Sequence, residues 1–154
     1  MMQARDTPFA RLPSHGRVIF VDGDGVLHPS GGAPGEVLPF AFSPVLSALL
    51  EAWPEVFIVV HSSWRELFSA EEIREFLGPL GPRFAGVVPL GKKEVAIRQY
   101  LSACPSIDDF LILDDEDEEF LAQLAEKLVL CDPLLGVTDQ GIQATISNWL
   151  LRRC

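Results

Sequence analysis

The sequence predicts a three-layer, Rossmann-like α/β fold, a parallel sheet of about five strands with helices on both faces. Five short apolar runs are spaced along the 154 residues, and segments with helical periodicity separate them. Apolar runs without polar alternation are typical of strands buried on both faces, as in parallel sheets. The runs are VIFV at 18–21, VFIVV at 56–60, AGVVP at 85–89, FLIL at 110–113 and LVL at 128–130.

The first run ends abruptly in two carboxylates. Asp22 and Asp24 follow it directly, separated by Gly23, and Gly25 comes next. Both side chains can therefore project at the carboxyl edge of the sheet, where open α/β folds bind ligands. Two like charges brought together require a cation or a shared proton, so a magnesium site is the simplest interpretation and a solvated turn the alternative. An EF-hand is excluded because Val26 stands where an oxygen ligand is needed.

A loop and a helix come next. Residues 28–39 hold three prolines and three glycines, which predicts an irregular loop over the two aspartates, either a gate or a plain surface connection. Ser43 and Pro44 supply an N-cap and a first-turn proline, and we expect a helix from there to near Pro54.

The second strand runs into His61, Ser62, Ser63 and, two residues later, Arg65. A serine at a strand end is most often a helix cap, but at this edge Ser62 or Ser63 could bind a ligand oxygen. Arg65 could present a cation to substrate. A lone histidine such as His61 is more often a structural hydrogen-bond partner than a catalyst.

Lys92 and Lys93 begin the helix after the third strand, which we expect to bury Val95 and Ile97. Paired lysines near a helix start are often merely solvated. An earlier helix begins with a capping box at Ser69.

The fourth strand ends in Asp114 and Asp115, and residues 117–119 continue the acidic run as a solvated helix start. Magnesium is a hard cation that takes oxygen ligands, so carboxylates from two strand ends suffice for a site. Further helix faces follow. They are Phe120, Leu121, Leu124 and Ala125, and, in a closing helix over 138–151, Ile142, Ile146, Trp149 and Leu150.

Net charge limits the expected binding partners, and the cysteine content indicates the redox state of the thiols. The formal net charge of -10 repels phosphate backbones, so we expect no binding of long nucleic-acid duplexes, whereas a local basic patch could still accept a nucleic-acid end. The three cysteines are too far apart for a CxxC motif, which is typical of reduced thiols. Without a signal peptide or an apolar run of membrane-spanning length, we expect a cytoplasmic protein and no membrane partner.

Taken in order, the four segments resemble the motifs of the haloacid dehalogenase (HAD) superfamily: Asp-x-Asp-Gly, a strand-end serine, a lysine at a helix start, and an acidic pair after the next strand. The resemblance covers the chain from Arg17 onward. It implies a small capless member, similar to the HAD domains associated with RNA-repair proteins. We therefore expect a flexible arm over 1–16 and a single HAD-like catalytic domain over 17–154. Gly23 departs from the bulkier residue common between the two aspartates.

The resemblance also implies roles for these residues. Asp22 would be the nucleophile and Asp24 the general acid and base. The phosphoryl oxygens would be held by Ser62, with Ser63 as the alternative, and by Lys93, with Lys92 as the alternative. Mg²⁺ would be held by Asp22, the backbone carbonyl of Asp24, and Asp115 or Asp114.

The implied function is a magnesium-dependent phosphatase acting through an aspartyl-phosphate. The alternative is a catalytically silent HAD-like module that binds a phosphorylated ligand or partner. Three other classes of protein fit less well. In response-regulator receivers the lysine comes last, whereas here Lys93 precedes the final acidic pair. Dehalogenases of the superfamily lack the second aspartate, which is present here as Asp24, and no P-loop motif occurs in the sequence. The substrate stays open between a small molecule, a nucleic-acid end and a phosphoprotein, as do the oligomeric state and a lid supplied by a partner.

Overall fold

The computed structural model describes residues 12, 14–30, 39–117, 120 and 122–152. Most of the predicted arm and of the 28–39 loop lies outside this part of the chain, and so do residues 118, 119, 121 and 154. Within the predicted arm, Leu12 packs against the core and Gly16 already belongs to the first strand. Across the described ranges, no helix has the length and apolar character needed to cross a membrane.

Within the described residues, five parallel strands form one sheet in the order β3-β2-β1-β4-β5. Their bounds are β1 Gly16–Val21, β2 Val56–Val60, β3 Phe84–Val87, β4 Ile107–Asp114 and β5 Leu128–Leu130. This confirms the predicted fold class, and no cap domain is evident in the described part of the chain. β4 begins earlier than its apolar run because polar Asp109 already pairs with Arg17 of β1.

In the part of the chain that the structure describes, four α-helices accompany the sheet: α1 Ser43–Leu50, α2 Ala70–Phe76, α3 Lys93–Ala103 and α4 Gln140–Leu151. Short 3₁₀ segments cover Ser63–Glu66, Gly78–Arg83, Ala122–Lys127 and Gly136–Thr138. The capping box that begins α2 is confirmed, since Ser69 and Glu72 exchange both hydrogen bonds. Helix α4 begins later than predicted, because Asp139 provides its N-cap.

Three local predictions were wrong. Phe42, rather than Ser43, holds the N-cap position of α1, and the Oγ of Ser43 is buried without a hydrogen-bond partner among the described residues. Val95 is 48% exposed, because it lies two positions before buried Ile97 and therefore more than half a helical turn away from it. The predicted helix after β4 is only a 3₁₀ segment, Ala122–Lys127, in which Leu124 is buried.

The two faces of the sheet carry separate apolar clusters. Ile19 and Val21 of β1 face the cluster that includes residues of α1, α2 and α4, whereas Val18 and Phe20 face the cluster that includes α3. This alternation along one strand is the period of two expected when both faces are covered. The central strand is therefore buried along its whole length.

The strand register determines which polar residues meet at the carboxyl edge. Val21 pairs with Val60 on one side and with Leu113 on the other. The ladder continues one step further, since the backbone nitrogen of Asp22 donates to Leu113 at 3.2 Å and that of His61 donates to Val21 at 3.0 Å. Residues 22, 61 and 114 consequently lie at one level at the carboxyl edge of the sheet.

Candidate active site

Among the described residues, three carboxylates meet at this edge. Oxygens of Asp22, Asp114 and Asp115 lie within 4.8 Å of one another. Asp22 is 5% exposed, Asp114 is fully buried and Asp115 is partly buried. We call these three residues the aspartate cluster. Such an arrangement carries strong mutual repulsion unless cations or protons offset it.

One lysine enters the cluster from the first residue of α3. The Nζ of Lys93 donates to Oδ2 of Asp114 at 2.9 Å and to Oδ2 of Asp22 at 3.2 Å. Burial alone would lower the pKa of Lys93, but the two carboxylates outweigh it and raise that pKa, so the ammonium stays charged. The neighbouring Lys92 is exposed at the N-cap position of α3, so the structure does not bring it into the cluster.

Asp114 is the most firmly held member of the cluster. Its Oδ2 accepts from His61 Nε2 at 2.9 Å as well as from Lys93, and its Oδ1 accepts from the backbone nitrogen of Glu116 at 3.0 Å. Burial would raise the pKa of Asp114, but these donors and positive charges lower it well below its usual range. His61 therefore contacts the site through Asp114. Its position directly after β2 made such a contact possible, but nothing in the neighbouring sequence predicted it.

The other two members carry excess negative charge. Burial raises the pKa of Asp22, Asp114 raises it further, and His61 and Lys93 act against this rise. Burial, followed by the charges of Asp22 and Asp114, raises the pKa of Asp115 to about 6. Lys93 thus does not neutralise the negative charge of the aspartate cluster. A set of oxygen ligands with net negative charge fits a hard divalent cation.

Asp24 lies apart from the aspartate cluster. Its side chain is 52% exposed, and its Oδ1 lies 2.5 Å from Nε2 of His28. Its carboxylate is not among the clustered groups. A contribution of Asp24 to a metal site therefore stays a prediction that concerns its backbone carbonyl.

The two serines occupy different surroundings. Ser62 is fully buried, and its Oγ accepts from the backbone nitrogen of Trp64 at 3.1 Å, which caps the 3₁₀ segment. A Cβ added to Gly23 would lie 3.2 Å from this Oγ, so the hydroxyl adjoins the loop between the two predicted catalytic aspartates. Ser63 is exposed in the 3₁₀ segment.

Arg65 braces two loops. Its guanidinium donates to the backbone carbonyls of His61 at 2.8 Å, Ser62 at 2.9 Å, Pro89 at 3.1 Å and Gly91 at 2.8 Å. These bonds tie the end of β2 to the connection that leads into α3. The geometry therefore assigns Arg65 a structural part, and its predicted contact with substrate gains no support.

Two glycines allow the close approach of the aspartate loop to its neighbours. Gly25 has a φ of +77°, and a Cβ there would overlap the carboxylate of Asp115. At Gly23, a Cβ would approach the ring of Phe40 to 2.7 Å. The departure of Gly23 from the bulkier residue of the superfamily motif is thus matched by an aromatic ring that fills the space.

Comparison with known families agrees with this geometry. Residues 18–142 match the family described as the HAD domain in Swiss Army Knife RNA repair proteins. A search of curated proteins found no match. HAD members are typically phosphatase-type hydrolases that usually use Mg²⁺, and the aspartate cluster fits such an active site. The chain therefore belongs to the HAD superfamily, in the family of HAD domains described from Swiss Army Knife RNA repair proteins.

Proposed function

We propose that this protein is a magnesium-dependent phosphatase that hydrolyses phosphoric monoesters through an aspartyl-phosphate. The observation that carries the proposal is the contact of Asp22 with Lys93 beside two further carboxylates at the carboxyl edge of the sheet. A nucleophile, a fixed cation and an oxygen donor set for a metal are thereby gathered at one point. These are the parts that phosphoryl transfer requires.

The proposed reaction has two steps. In the first, a carboxylate oxygen of Asp22 attacks phosphorus, the bond from phosphorus to the leaving oxygen breaks, and Asp24 gives that oxygen a proton. In the second, water attacks phosphorus, Asp24 takes a proton from the water, and Asp22 is released together with inorganic phosphate. Asp24 is suited to this exchange because its side chain is exposed and lies outside the aspartate cluster.

Lys93 and Ser62 would bind the oxygens of the transferring group. The raised pKa of Lys93 keeps its positive charge at any pH of activity. Asp22, Asp114 or Asp115, and the backbone carbonyl of Asp24 would hold Mg²⁺, which when bound supplies further positive charge against the phosphoryl oxygens. Ser63, Lys92 and Arg65 are less suited by their placement.

The direct test is phosphate release from 4-nitrophenyl phosphate with Mg²⁺ and with EDTA. We expect magnesium-dependent release by the wild type and a loss of at least about 10³-fold in Asp22→Asn, because an amide cannot form the acyl phosphate. Asp108→Asn is the matched control, since Asp108 is exposed and interacts with His15 at the opposite end of the sheet. Thermal unfolding establishes that each variant folds.

The outcomes separate the proposal from its alternative. Retention of most activity in Asp22→Asn would exclude Asp22 as nucleophile. Tight binding of a phosphate analogue without release, even in a single turnover, would favour a silent binding module.

Active protein would then be tested on substrate classes. We infer a phosphorylated substrate and would screen 3′- and 5′-phosphorylated oligonucleotides first, because the matching family is described from RNA repair proteins. Nucleotides, sugar phosphates and phosphopeptides complete the panel. The net charge of -10 argues against affinity for long duplexes.

A further inference from the structure

His28 is a buried histidine beside an exposed aspartate. It is 2% exposed, and its Nδ1 lies 3.1 Å from the backbone nitrogen of Phe40. Its other ring nitrogen, Nε2, lies 2.5 Å from Oδ1 of Asp24. One imidazole thus joins the loop before α1 to the predicted acid and base.

The first of these contacts determines the second. A backbone nitrogen can only donate, so Nδ1 of His28 must be the unprotonated acceptor for Phe40. A neutral imidazole then carries its proton on Nε2. His28 is therefore the donor, and Oδ1 of Asp24 the acceptor, in the bond between them.

Packing fixes the imidazole in this orientation. Its ring stacks on Phe40 with centroids 5.6 Å apart and planes 14° apart, and Trp64 lies 5.1 Å away on a tilted plane. Gly23 leaves the space, since a Cβ there would approach both the Phe40 and His28 rings. The backbone nitrogen of Gly25 donates to the His28 carbonyl at 2.8 Å, which closes the turn that places His28 next to Asp24.

We propose that His28 is a positioning residue for Asp24, holding Oδ1 with a fixed donor so that Oδ2 is the oxygen that gives and takes the proton. The proposal rests on the phosphatase function proposed above. While Oδ1 accepts the hydrogen bond from the Nε2–H of His28, it cannot direct a hydroxyl hydrogen of its own toward His28. In the described part of the chain, no residue donates a hydrogen bond to Oδ2 of Asp24.

The proton balance follows from this assignment. In the first step, the proton on Oδ2 of Asp24 passes to the leaving oxygen as its bond to phosphorus breaks. In the second, Oδ2 takes a proton from the attacking water. His28 keeps its own proton throughout, and Oδ1 accepts from it in both states of Asp24.

Leaving-group dependence distinguishes this role from a merely structural one. A 4-nitrophenolate ion leaves without much need of a proton, whereas phenolates and alkoxides of higher pKa need one. The value of kcat/KM reports steps up to the first irreversible one, which we take to be departure of the leaving group. We would measure kcat/KM over phosphate esters of rising leaving-group pKa for the wild type, His28→Phe and His28→Gln.

We expect His28→Phe to lose about 10- to 100-fold on the poorest leaving group and under about threefold on 4-nitrophenyl phosphate, because proton donation contributes only where it is needed. Phenylalanine preserves the stacked ring but has no donor. His28→Gln should stay within about threefold throughout, since its amide nitrogen can donate from a position similar to Nε2. In an Asp24→Asn background, His28→Phe should add no further selectivity. His15→Phe, at an exposed histidine, should match the wild type.

Uniform loss across the series in His28→Phe, or no loss at all, would overturn the proposal. Absence of phosphate release by the wild type would instead overturn the phosphatase function. Should His28→Phe fail to fold, ¹⁵N NMR of the wild-type ring still tests the proposal. A proton on Nε2 and none on Nδ1 at the assay pH is expected, and a proton on Nδ1 would overturn it.

Discussion

The two ends of the parallel sheet bury charge in opposite ways. At the amino end, Arg17 is 8% exposed, and its guanidinium donates to the carbonyls of Trp149 and Leu150 and to Glu55 at 2.8 to 3.2 Å. It also lies 4.7 Å from the centroid of the Trp149 ring. At the carboxyl end, three aspartates are clustered, and Lys93 donates to two of them, Asp22 and Asp114.

This difference separates charges that hold the fold together from charges that await a ligand. The carbonyls that Arg17 binds lie in the last turn of α4, where the helix dipole favours a cation, so this pair joins α4 to the sheet. At the carboxyl end, the described cations balance Asp114 but leave the pKa values of Asp22 and Asp115 raised. Burial of like charges there lowers stability in the metal-free protein unless a cation binds.

Strand β4 shows both situations within one element. At its amino end, burial would raise the pKa of Asp109, but Lys127, Trp149 and the backbone nitrogen of Phe110 outweigh it and lower the pKa. Just past its carboxyl end, burial and the neighbouring carboxylates raise the pKa of Asp115 to about 6. The same residue type is thus stabilised as an anion at one end and penalised at the other.

The largest expected stability effect is at the amino end. Arg17→Met should lower the free energy of unfolding by about 2 to 3 kcal/mol, because it removes the buried guanidinium bonds to Glu55 and to the carbonyls of Trp149 and Leu150. Urea denaturation measures this loss. The value of kcat/KM per folded molecule should equal that of the wild type, because Arg17 and Asp22 lie at opposite ends of β1. A large fall in kcat/KM with unchanged stability would contradict the conclusion that the charges at the amino end act only on the fold.

A smaller effect of opposite sign is expected at the carboxyl end. Because its folded-state pKa of about 6 lies above the usual 3.8, charged Asp115 destabilises the metal-free fold above pH 6. Asp115→Asn should therefore raise the free energy of unfolding in EDTA at pH 8 by about 1 kcal/mol, less than the full pKa shift implies because the side chain is partly exposed. This gain should vanish below pH 3.8, where the wild-type carboxyl is protonated in both states.

Magnesium binding provides a second test of Asp115. At a free concentration tenfold above its Kd, Mg²⁺ should stabilise the wild type by about 1.4 kcal/mol, and Asp115→Asn should reduce this stabilisation. Asp117→Asn is the matched control, since Asp117 is exposed in the same acidic run and lies outside the cluster. Equal magnesium stabilisation in Asp115→Asn and the wild type would remove Asp115 from the proposed metal site.

Much of the fold follows from local patterns. The apolar run of β2 coincides with the observed strand, because a strand covered on both faces leaves an unbroken apolar signal. The run of β5 coincides as well, although this edge strand is only partly buried and its Leu130 is 51% exposed. The start of β4 was missed because polar Asp108 and Asp109 find their partners, His15 and Lys127, from elsewhere in the chain. No local pattern reports such contacts.

Some contacts of the candidate site could likewise be predicted from the sequence, and others could not. The family resemblance predicted that Asp22 and Lys93 would meet Asp115 or Asp114. The register between β1 and β4 brings the two strand ends together, and Lys93 from α3 contacts Asp22 and Asp114. The bond from His28 to Asp24 depends on a turn at Gly25 and on the ring of Phe40, neither of which the motif specifies. Its one trace in the sequence is a histidine four residues after Asp24, just past a glycine turn.

The most direct test of the proposed phosphatase is to trap the phosphorylated protein. Acid quench during turnover of 4-nitrophenyl phosphate, followed by peptide mass spectrometry, should find one phosphoryl group on the peptide that contains Asp22. Magnesium removal and Asp22→Asn should abolish that signal. Turnover that leaves the phosphoryl group on no residue, or on a residue other than Asp22, would contradict the account.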